Sequence, residues 1–310
     1  MSTMKKVLAY VVVSFLACAN RVLVCDGDAH TLSRETLIIM ISTPRSLSTA
    51  FFRMMQACCC TISEPGADAY FRLHNPEGCW SAMCESNMPR TYQEAVACIK
   101  YFLTKGKPVF VKEMGFCARE YLLLNGKDLI AHPKTYCIFL VRHPAQALIS
   151  YYTMQHKHDI SGADHDALFE EIMSYRILYE LYEQLLAIKK VEPLIIMCDD
   201  LIKNASTVVE TFFNYVHLPF SPRYLSWEMQ HSSPSADHLW DVNTQKYGWF
   251  DKAFNSNSFF FQKILCDGQH DELFNEIESD VLRARYQNLY RENMIYYRLF
   301  QAKVSAAVKE

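Results

Sequence analysis

A short segment rich in hydroxyl groups follows the first apolar run of the sequence and has the composition of a phosphate-binding turn. It contains Arg45, Ser46, Ser48 and Thr49. Residues 37–55 read as a strand, a turn and a helix, so these side chains fall at a helix start. Unpaired backbone N–H groups and the positive end of the helix dipole attract anions there. Since the turn has no glycine and the motif GxxxxGK[ST] is absent, we expect a phosphate cradle built from an arginine and hydroxyl groups.

A second cationic group follows a later apolar run. Arg142 comes directly after residues 135–141, and Ser150 lies eight residues further on, in a helix that Pro144 is suited to open. The arginine offers a charge-assisted fork and the serine a hydroxyl, so the pair could hold a second phosphate. The alternative is that Arg142 caps the sheet through a salt bridge.

Apolar runs alternate with helical patterns along most of the sequence. This alternation predicts an α/β fold, a doubly wound parallel sheet flanked by helices in the manner of P-loop nucleotide-binding proteins, with a helical C-terminal extension. The active site is then expected at the carboxyl ends of the strands. The predicted strands after the first are residues 61–63, 108–114, 135–141 and 194–198, and the later predicted helices are residues 91–103, 144–152, 167–189, 206–216 and 271–302.

The composition is that of an ordinary globular protein. Of the 310 residues, 50% are hydrophobic and 21% charged, which is sufficient for a sizeable core. We expect a main domain over residues 34–262 and a helical extension over residues 263–310 packed on it. The formal net charge of −3 argues against a general polyanion-binding surface and against a nucleic-acid partner.

The first 19 residues have the pattern of an export signal. Lys5 and Lys6 precede an apolar run that ends in a small-x-small sequence. The pattern predicts a secretory or exported protein without a stable membrane span in the mature chain. A short membrane anchor and the N-terminal strand of a cytoplasmic protein are the alternatives. The Asn204 sequon matters only for export through a eukaryotic pathway.

The twelve cysteines do not predict a metal site. No CxxC pair is present, so structural zinc is not expected, and no other metal ligand set is assigned. Cys98, Cys137 and Cys198 lie in apolar segments and are expected to be buried thiols. Cys79 and Cys84 lie in a polar connection and are the best candidates for a disulfide.

Six short motifs, in this order, resemble the sulfotransferase family in its sulfotransferase-like P-loop branch. They extend over most of the sequence, roughly residues 37–261. The motifs are STPRS at residues 42–46, EP at 64–65, VKEM at 111–114, RHP at 142–144, DDL at 199–201 and LSW at 225–227 ahead of Trp240.

The resemblance implies a nucleotide and a reaction. Members of this family bind 3′-phosphoadenosine 5′-phosphosulfate, and the implied activity is sulfuryl transfer to a hydroxyl or amine of a small molecule, a glycan or a protein. An arginine and helix-start N–H groups suit this reaction, because charge grows on the leaving phosphate. By resemblance, the 5′-phosphosulfate is held by Arg45, Ser46, Ser48 and Thr49, and the 3′-phosphate by Arg142 and Ser150.

The acceptor hydroxyl also needs a general base. Glu64 is the first candidate, because it follows the second strand, whose carboxyl end is expected beside the phosphate cradle. Its alternative role is that of an acid in a surface turn. His143 is the second candidate. Lys112 is expected to support the sulfate or the bridging oxygen and to take part in catalysis, unless it pairs with Glu113 or Glu64.

One departure from the family pattern keeps other functions open. Leu47 stands where these enzymes commonly have glycine, and a side chain there can alter the loop. A phosphoryl transferase or nucleotide hydrolase that uses Arg45 and Asp199 is disfavoured, because the loop lacks glycine and the usual lysine. A relative that binds the nucleotide without catalysis is the other alternative.

Overall fold

A parallel sheet forms the centre of the protein. The computed structural model describes residues 36–78, 81, 88–157, 168–227, 238–239, 258–259 and 270–307. The strands are β1 (Leu37–Ser42), β2 (Cys60–Ser63), β3 (Val109–Met114), β4 (Thr135–Val141), β5 (Leu194–Met197) and the two-residue β6 (His238–Leu239). Their order is β5-β4-β1-β3-β2-β6, and all neighbouring strands are parallel.

Helices cover both faces of the sheet. The α-helices are α1 (Ser48–Met55), α2 (Ala67–His74), α3 (Tyr92–Leu103), α4 (Gly115–Glu120), α5 (Lys127–Ala131), α6 (Pro144–Lys157), α7 (Phe169–Ile172), α8 (Tyr175–Lys189), α9 (Cys198–Lys203), α10 (Ala205–Tyr215) and α11 (Asp280–Ala307). A π-helical turn spans Tyr121–Asn125, and 3-10 helices span Pro222–Leu225 and Asp271–Glu276.

Side chains alternate along β1 and fill two cores. Ile39 and Ile41 point to the face covered by α3, α4, α8 and α11. Ile38 and Met40 point to the opposite face, which α1, α9 and α10 cover. All six residues of β1 are buried, as expected for a parallel strand that reads as a continuous apolar run. The predicted doubly wound α/β sheet with a C-terminal helix is thus confirmed.

A third apolar cluster packs α6 and α7 against α11. The Phe169 ring lies 4.8 Å from the Tyr286 ring, and Leu148 and Tyr151 of α6 are buried in the same cluster. Since α6 begins where β4 ends, this cluster fixes α6 relative to the carboxyl edge of the sheet.

Two predicted helices begin or break elsewhere than the sequence pattern indicated. The pattern over residues 167–189 is interrupted before α8, where the Ser174 hydroxyl accepts a hydrogen bond from the Ile177 N–H at 3.3 Å. The C-terminal α-helix begins only after Ser279, whose hydroxyl accepts from the Leu282 N–H at 3.4 Å. Serine side chains satisfy the free N–H groups of a first turn, and they set both boundaries. The helices α2, α4, α5 and α9 were not predicted.

Of the remaining predictions, one on the cysteines is confirmed and others fall on residues that the structure does not describe. Cys98, Cys137 and Cys198 are buried free thiols, as predicted. The export signal over residues 1–19 and the pair Cys79 and Cys84 lie outside the described residues. Within the described residues, no helix combines the length and apolar character that crossing a membrane requires.

Candidate functional site

The loop between β1 and α1 contains two residues in the left-handed conformation. Arg45 has φ 66°, and Leu47 has φ 63° and ψ 8°. A left-handed residue followed by a right-handed helix turns successive N–H groups toward one point, a geometry that binds anions. Leu47 therefore adopts a conformation that glycine adopts without strain. Its side chain is buried in the core beneath α1, so the loop adopts this conformation with leucine, and not glycine, at the position.

The loop is braced by its own hydroxyls and by α9. The Thr43 and Ser46 hydroxyl oxygens lie 2.9 Å apart, and the Cys198 thiol donates to the Ser46 carbonyl at 3.1 Å. Ser46 is fully buried, so its hydroxyl serves the loop itself. Ser48 and Thr49 occupy the first turn of α1 and are also buried.

The two predicted anion motifs meet at the carboxyl edge of the sheet. Arg45 Nε donates to Ser150 Oγ at 3.1 Å, and Arg142 Nη1 donates to the Arg45 carbonyl at 2.7 Å. Arg45 Nη1 also lies 3.8 Å from Met154 Sδ. Ser150 and Met154 are four residues apart, so they line the face of α6 that looks onto the loop, and Arg142 approaches the loop from the segment just before α6.

Desolvation lowers the pKa of both arginines. Desolvation, followed by repulsion from Arg142, lowers the pKa of Arg45 to about 10. Desolvation also lowers the pKa of Arg142, which is only 6% exposed. Two neighbouring desolvated cations raise the free energy of the protein alone, and a bound anion offsets that cost. The electrostatics therefore favour an anionic ligand.

Two helices that the sequence motifs do not reveal, α8 and α11, fix the backbone of Arg142. The Tyr175 hydroxyl donates to the Arg142 carbonyl at 2.6 Å. The Tyr175 N–H in turn donates to Asn293 Oδ1 at 2.9 Å, and Asn293 Nδ2 donates to the Met173 carbonyl at 2.9 Å. The start of α8 and the middle of α11 thus fix the carboxyl end of β4.

Glu64 and Lys112 form an ion pair at the ends of β2 and β3. The Lys112 side chain is fully buried, whereas that of Glu64 is 24% exposed. This contact is the alternative role predicted for Lys112. β3 lies between β1 and β2, so the end of β2 is two strands, roughly 10 Å, from β1. The expectation that Glu64 directly adjoins the phosphate loop is corrected accordingly.

Glu113, the next residue of β3, braces the same turn from the opposite face of the sheet. Its Oε2 accepts from the Gly66 N–H at 3.0 Å and from the Tyr121 hydroxyl at 2.7 Å. Its Oε1 accepts from the Met114 N–H at 2.9 Å and the Cys117 thiol at 3.0 Å. Burial raises the pKa of Glu113 to about 7, although these hydrogen bonds oppose the rise.

The turn that carries Glu64 has little freedom. Glu64 has φ 52°, and a Cβ on Gly66 would lie 2.6 Å from the Tyr121 ring. Lys112 contacts the turn from one face and Glu113 from the other. Adjacent charged residues in an otherwise apolar strand were the sequence signal for this two-sided clamp, but only Lys112 was assigned to the site.

His143, the second candidate base, is embedded in an aromatic cluster. Its ring stacks on His270 with centroids 3.6 Å apart, and burial, His270 and Arg142 lower its pKa to about 3. The neutral ring is 8% exposed and is a weak base.

Burial raises the pKa of Asp199, which lies near Arg142. Within the described ranges, no group of three His, Cys, Asp or Glu residues could hold a metal ion.

Comparison with solved structures finds sulfotransferase domains among its matches, at low identity and low TM-score. One is a sulfotransferase domain from the curacin biosynthetic pathway, 16% identical, with a TM-score of 0.35, covering 79% of this chain and 98% of that domain. The other is from the Synechococcus PCC 7002 olefin synthase, 17% identical, with a TM-score of 0.37, covering 83% of this chain and 99% of that domain. No protein-family model and no curated protein matches the sequence. At such identities and TM-scores these likenesses carry no argument about this protein.

Proposed function

We propose that this protein is a sulfotransferase that binds 3′-phosphoadenosine 5′-phosphosulfate and transfers its sulfuryl group to a hydroxyl or amine acceptor. The observation that carries the proposal is the joining of the two anion motifs, in which Arg45 contacts Ser150 and Arg142 contacts the Arg45 carbonyl. The ordered sulfotransferase-like motifs of the sequence add support. A small molecule, a glycan or a protein would serve as the acceptor.

The residues at this edge fit a nucleotide with two anionic groups. The left-handed loop and the first turn of α1 offer N–H groups to one anion, with Arg45 beside them. Arg142 and Ser150 offer a guanidinium and a hydroxyl to the other. In the proposal the 5′-phosphosulfate is held by Arg45, Ser48 and Thr49, and the 3′-phosphate by Arg142 and Ser150. Ser46, which was also expected to hold the phosphosulfate, is fully buried, and its hydroxyl contacts Thr43 within the loop.

The nucleotide, when bound, supplies the sulfuryl group and a phosphate leaving group. Arg45 and the N–H groups of the loop stabilise negative charge that grows on the leaving phosphate. Glu64 accepts the proton of the acceptor hydroxyl through a carboxylate oxygen. Lys112 fixes the orientation of that carboxylate through the ion pair. In the proposal the acceptor binds at the carboxyl end of β3, which lies between the loop and Glu64.

The first experiment is a calorimetric titration of the protein with 3′,5′-adenosine bisphosphate, without magnesium, beside a titration with ATP. Tight binding of the bisphosphate with weak binding of ATP supports the proposal and justifies a screen for acceptors. Preference for ATP replaces it by phosphoryl transfer, and a repeat of the ATP titration with magnesium then tests the requirement for the metal. Binding of the bisphosphate without turnover on any acceptor indicates a relative that has lost catalysis, and binding of neither nucleotide refutes the site.

Arginine variants locate the site. We expect Arg45→Ala and Arg142→Ala each to weaken bisphosphate binding by at least about 10-fold, because each removes a charged hydrogen-bond donor. Arg45→Lys keeps the charge and tests the fork geometry. The control is Arg176→Ala, since Arg176 is 62% exposed and pairs with Glu180 on α8. Equal affinity in the wild type and both alanine variants refutes the assignment.

A further inference from the structure

Gln146 is a buried side chain of α6 that no sequence motif singled out. It is 6% exposed, and its Oε1 accepts a hydrogen bond from Arg142 Nε at 3.2 Å. Its Nε2 has no hydrogen-bond partner among the described residues. A buried amide donor without an acceptor is uncommon in proteins, so its position calls for an explanation.

The arginine fixes which end of the amide is unpaired. A guanidinium carries donors and no acceptor, so the amide group must present its oxygen to Arg142 Nε. The NH₂ group therefore points away from Arg142 Nε, and exchanging the two amide atoms would set two donors against each other.

The unpaired donor lies between the groups of the proposed 3′-phosphate site. Gln146 contacts Arg142, which lies just before α6, and it shares one face of α6 with Ser150, four residues further on. Arg45, which contacts Ser150 and lies against Arg142, closes that face on the other side. In the inference, an anion held by both Arg142 and Ser150 lies against Gln146, which adjoins both residues.

We infer that Gln146 is a further binding residue, which donates its Nε2 hydrogen to an oxygen of the 3′-phosphate and selects nucleotides that carry this group. The inference rests on the proposed function. Gln146 uses its oxygen to orient Arg142 and its nitrogen to contact the phosphate, so the two donors meet the anion in a fixed geometry.

The test compares 3′,5′-adenosine bisphosphate with 5′-AMP, which lacks the 3′-phosphate. Gln146→Glu keeps an oxygen for Arg142 Nε but replaces the donor by an acceptor. Gln146→Met removes both. We expect the preference for the bisphosphate over AMP, measured by calorimetry, to fall at least about 10-fold in Gln146→Glu and to fall also in Gln146→Met. AMP affinity is expected to stay within about 2-fold in Gln146→Met.

Gln155 provides a matched control on the same helix. It is 2% exposed, its Oε1 accepts from the Tyr286 hydroxyl at 3.2 Å, and its Nε2 likewise has no partner among the described residues. It lies nine residues after Gln146, about half a turn around α6, and so faces away from the loop. Gln155→Glu is expected to leave the nucleotide preference unchanged.

The outcomes separate the inference from the proposed function. A wild-type preference that Gln146→Glu retains and Gln146→Met loses shows that Gln146 only orients Arg142, and this result overturns the inference alone. A preference retained in both variants overturns it as well. A wild-type protein that binds AMP as tightly as the bisphosphate refutes the 3′-phosphate site, and the inference falls with it.

Discussion

Glu64 is the residue on which turnover, as distinct from nucleotide binding, is expected to depend. It is partly exposed, held by Lys112 and set apart from the arginine cluster. We predict that Glu64→Gln leaves the affinity for the bisphosphate within about 2-fold and lowers turnover at least about 100-fold, the usual contribution of a general base. Turnover is measured as release of 3′,5′-adenosine bisphosphate with an acceptor found by screening.

Glu120→Gln is the control for this variant. Glu120 is 32% exposed and its carboxylate lies 3.0 Å from His74 Nε2, so it resembles Glu64 in exposure and in having a nitrogen-bearing side chain as partner. Its substitution is expected to leave turnover unchanged. Turnover of Glu64→Gln within a few-fold of the wild type would assign the proton to another group.

Sequence reasoning at the scale of residues identified groups that carry charge at strand ends, and it missed groups that support them. Arg45 and Arg142 were predicted because each follows an apolar run, and Ser150 because it lies about two helical turns after Arg142. The structure joins the three residues. Tyr175 and Asn293 were not predicted. Their hydrogen bonds join α8 and α11 to β4, and no local pattern specifies contacts between such distant segments.

At the scale of elements, the loop from β1 to α1 depends on the left-handed conformation of Leu47. Alanine and glycine at this position both lose the buried side chain, at about 2–5 kcal/mol. Only glycine adopts a positive φ without strain, which favours it by about 1–2 kcal/mol. We therefore predict that Leu47→Gly is more stable than Leu47→Ala by about 1 kcal/mol, as measured by urea unfolding.

At Ala50, in the following helix α1, we expect glycine to change the stability relative to alanine in the opposite direction. Ala50 is buried in right-handed α1, where glycine is less stable than alanine by about 1 kcal/mol. If Leu47→Gly were instead the less stable variant at its position, the left-handed loop would not be the conformation held in solution.

The elements that the sequence predicted are those with long, uniform patterns. Strands β1 and β4 were found because parallel strands buried on both faces are continuously apolar, and β3 because its run is apolar except for Lys112 and Glu113. The short helices α4 and α5 were not, because a segment of five or six residues has too few turns to show a helical period. The order of the strands was not predicted either, and it places β3 between the loop and Glu64.

At the scale of the whole molecule, two buried groups make stability depend on pH in opposite directions. The pKa of His143 is lowered from 6.5 to about 3, so its contribution to stability is lost as the pH falls. The pKa of Glu113 is raised from 4.5 to about 7, so the folded protein retains a proton that the unfolded chain releases. Its contribution is full below pH 4.5 and is lost as the pH rises through about 7.

Glu113→Gln isolates the second effect, because an amide of the same shape does not titrate. The pKa difference corresponds to about 3 kcal/mol. We predict that the free energy of unfolding of Glu113→Gln, relative to the wild type, increases by up to about 3 kcal/mol between about pH 5 and pH 8. Urea unfolding at several pH values measures this difference, and Glu210→Gln, at an exposed position of α10, is expected to show none. A difference that stays constant with pH would mean that Glu113 titrates alike in the folded and unfolded chains. The Glu113 carboxyl would then be solvated in the folded protein, although it contacts the turn that carries Glu64.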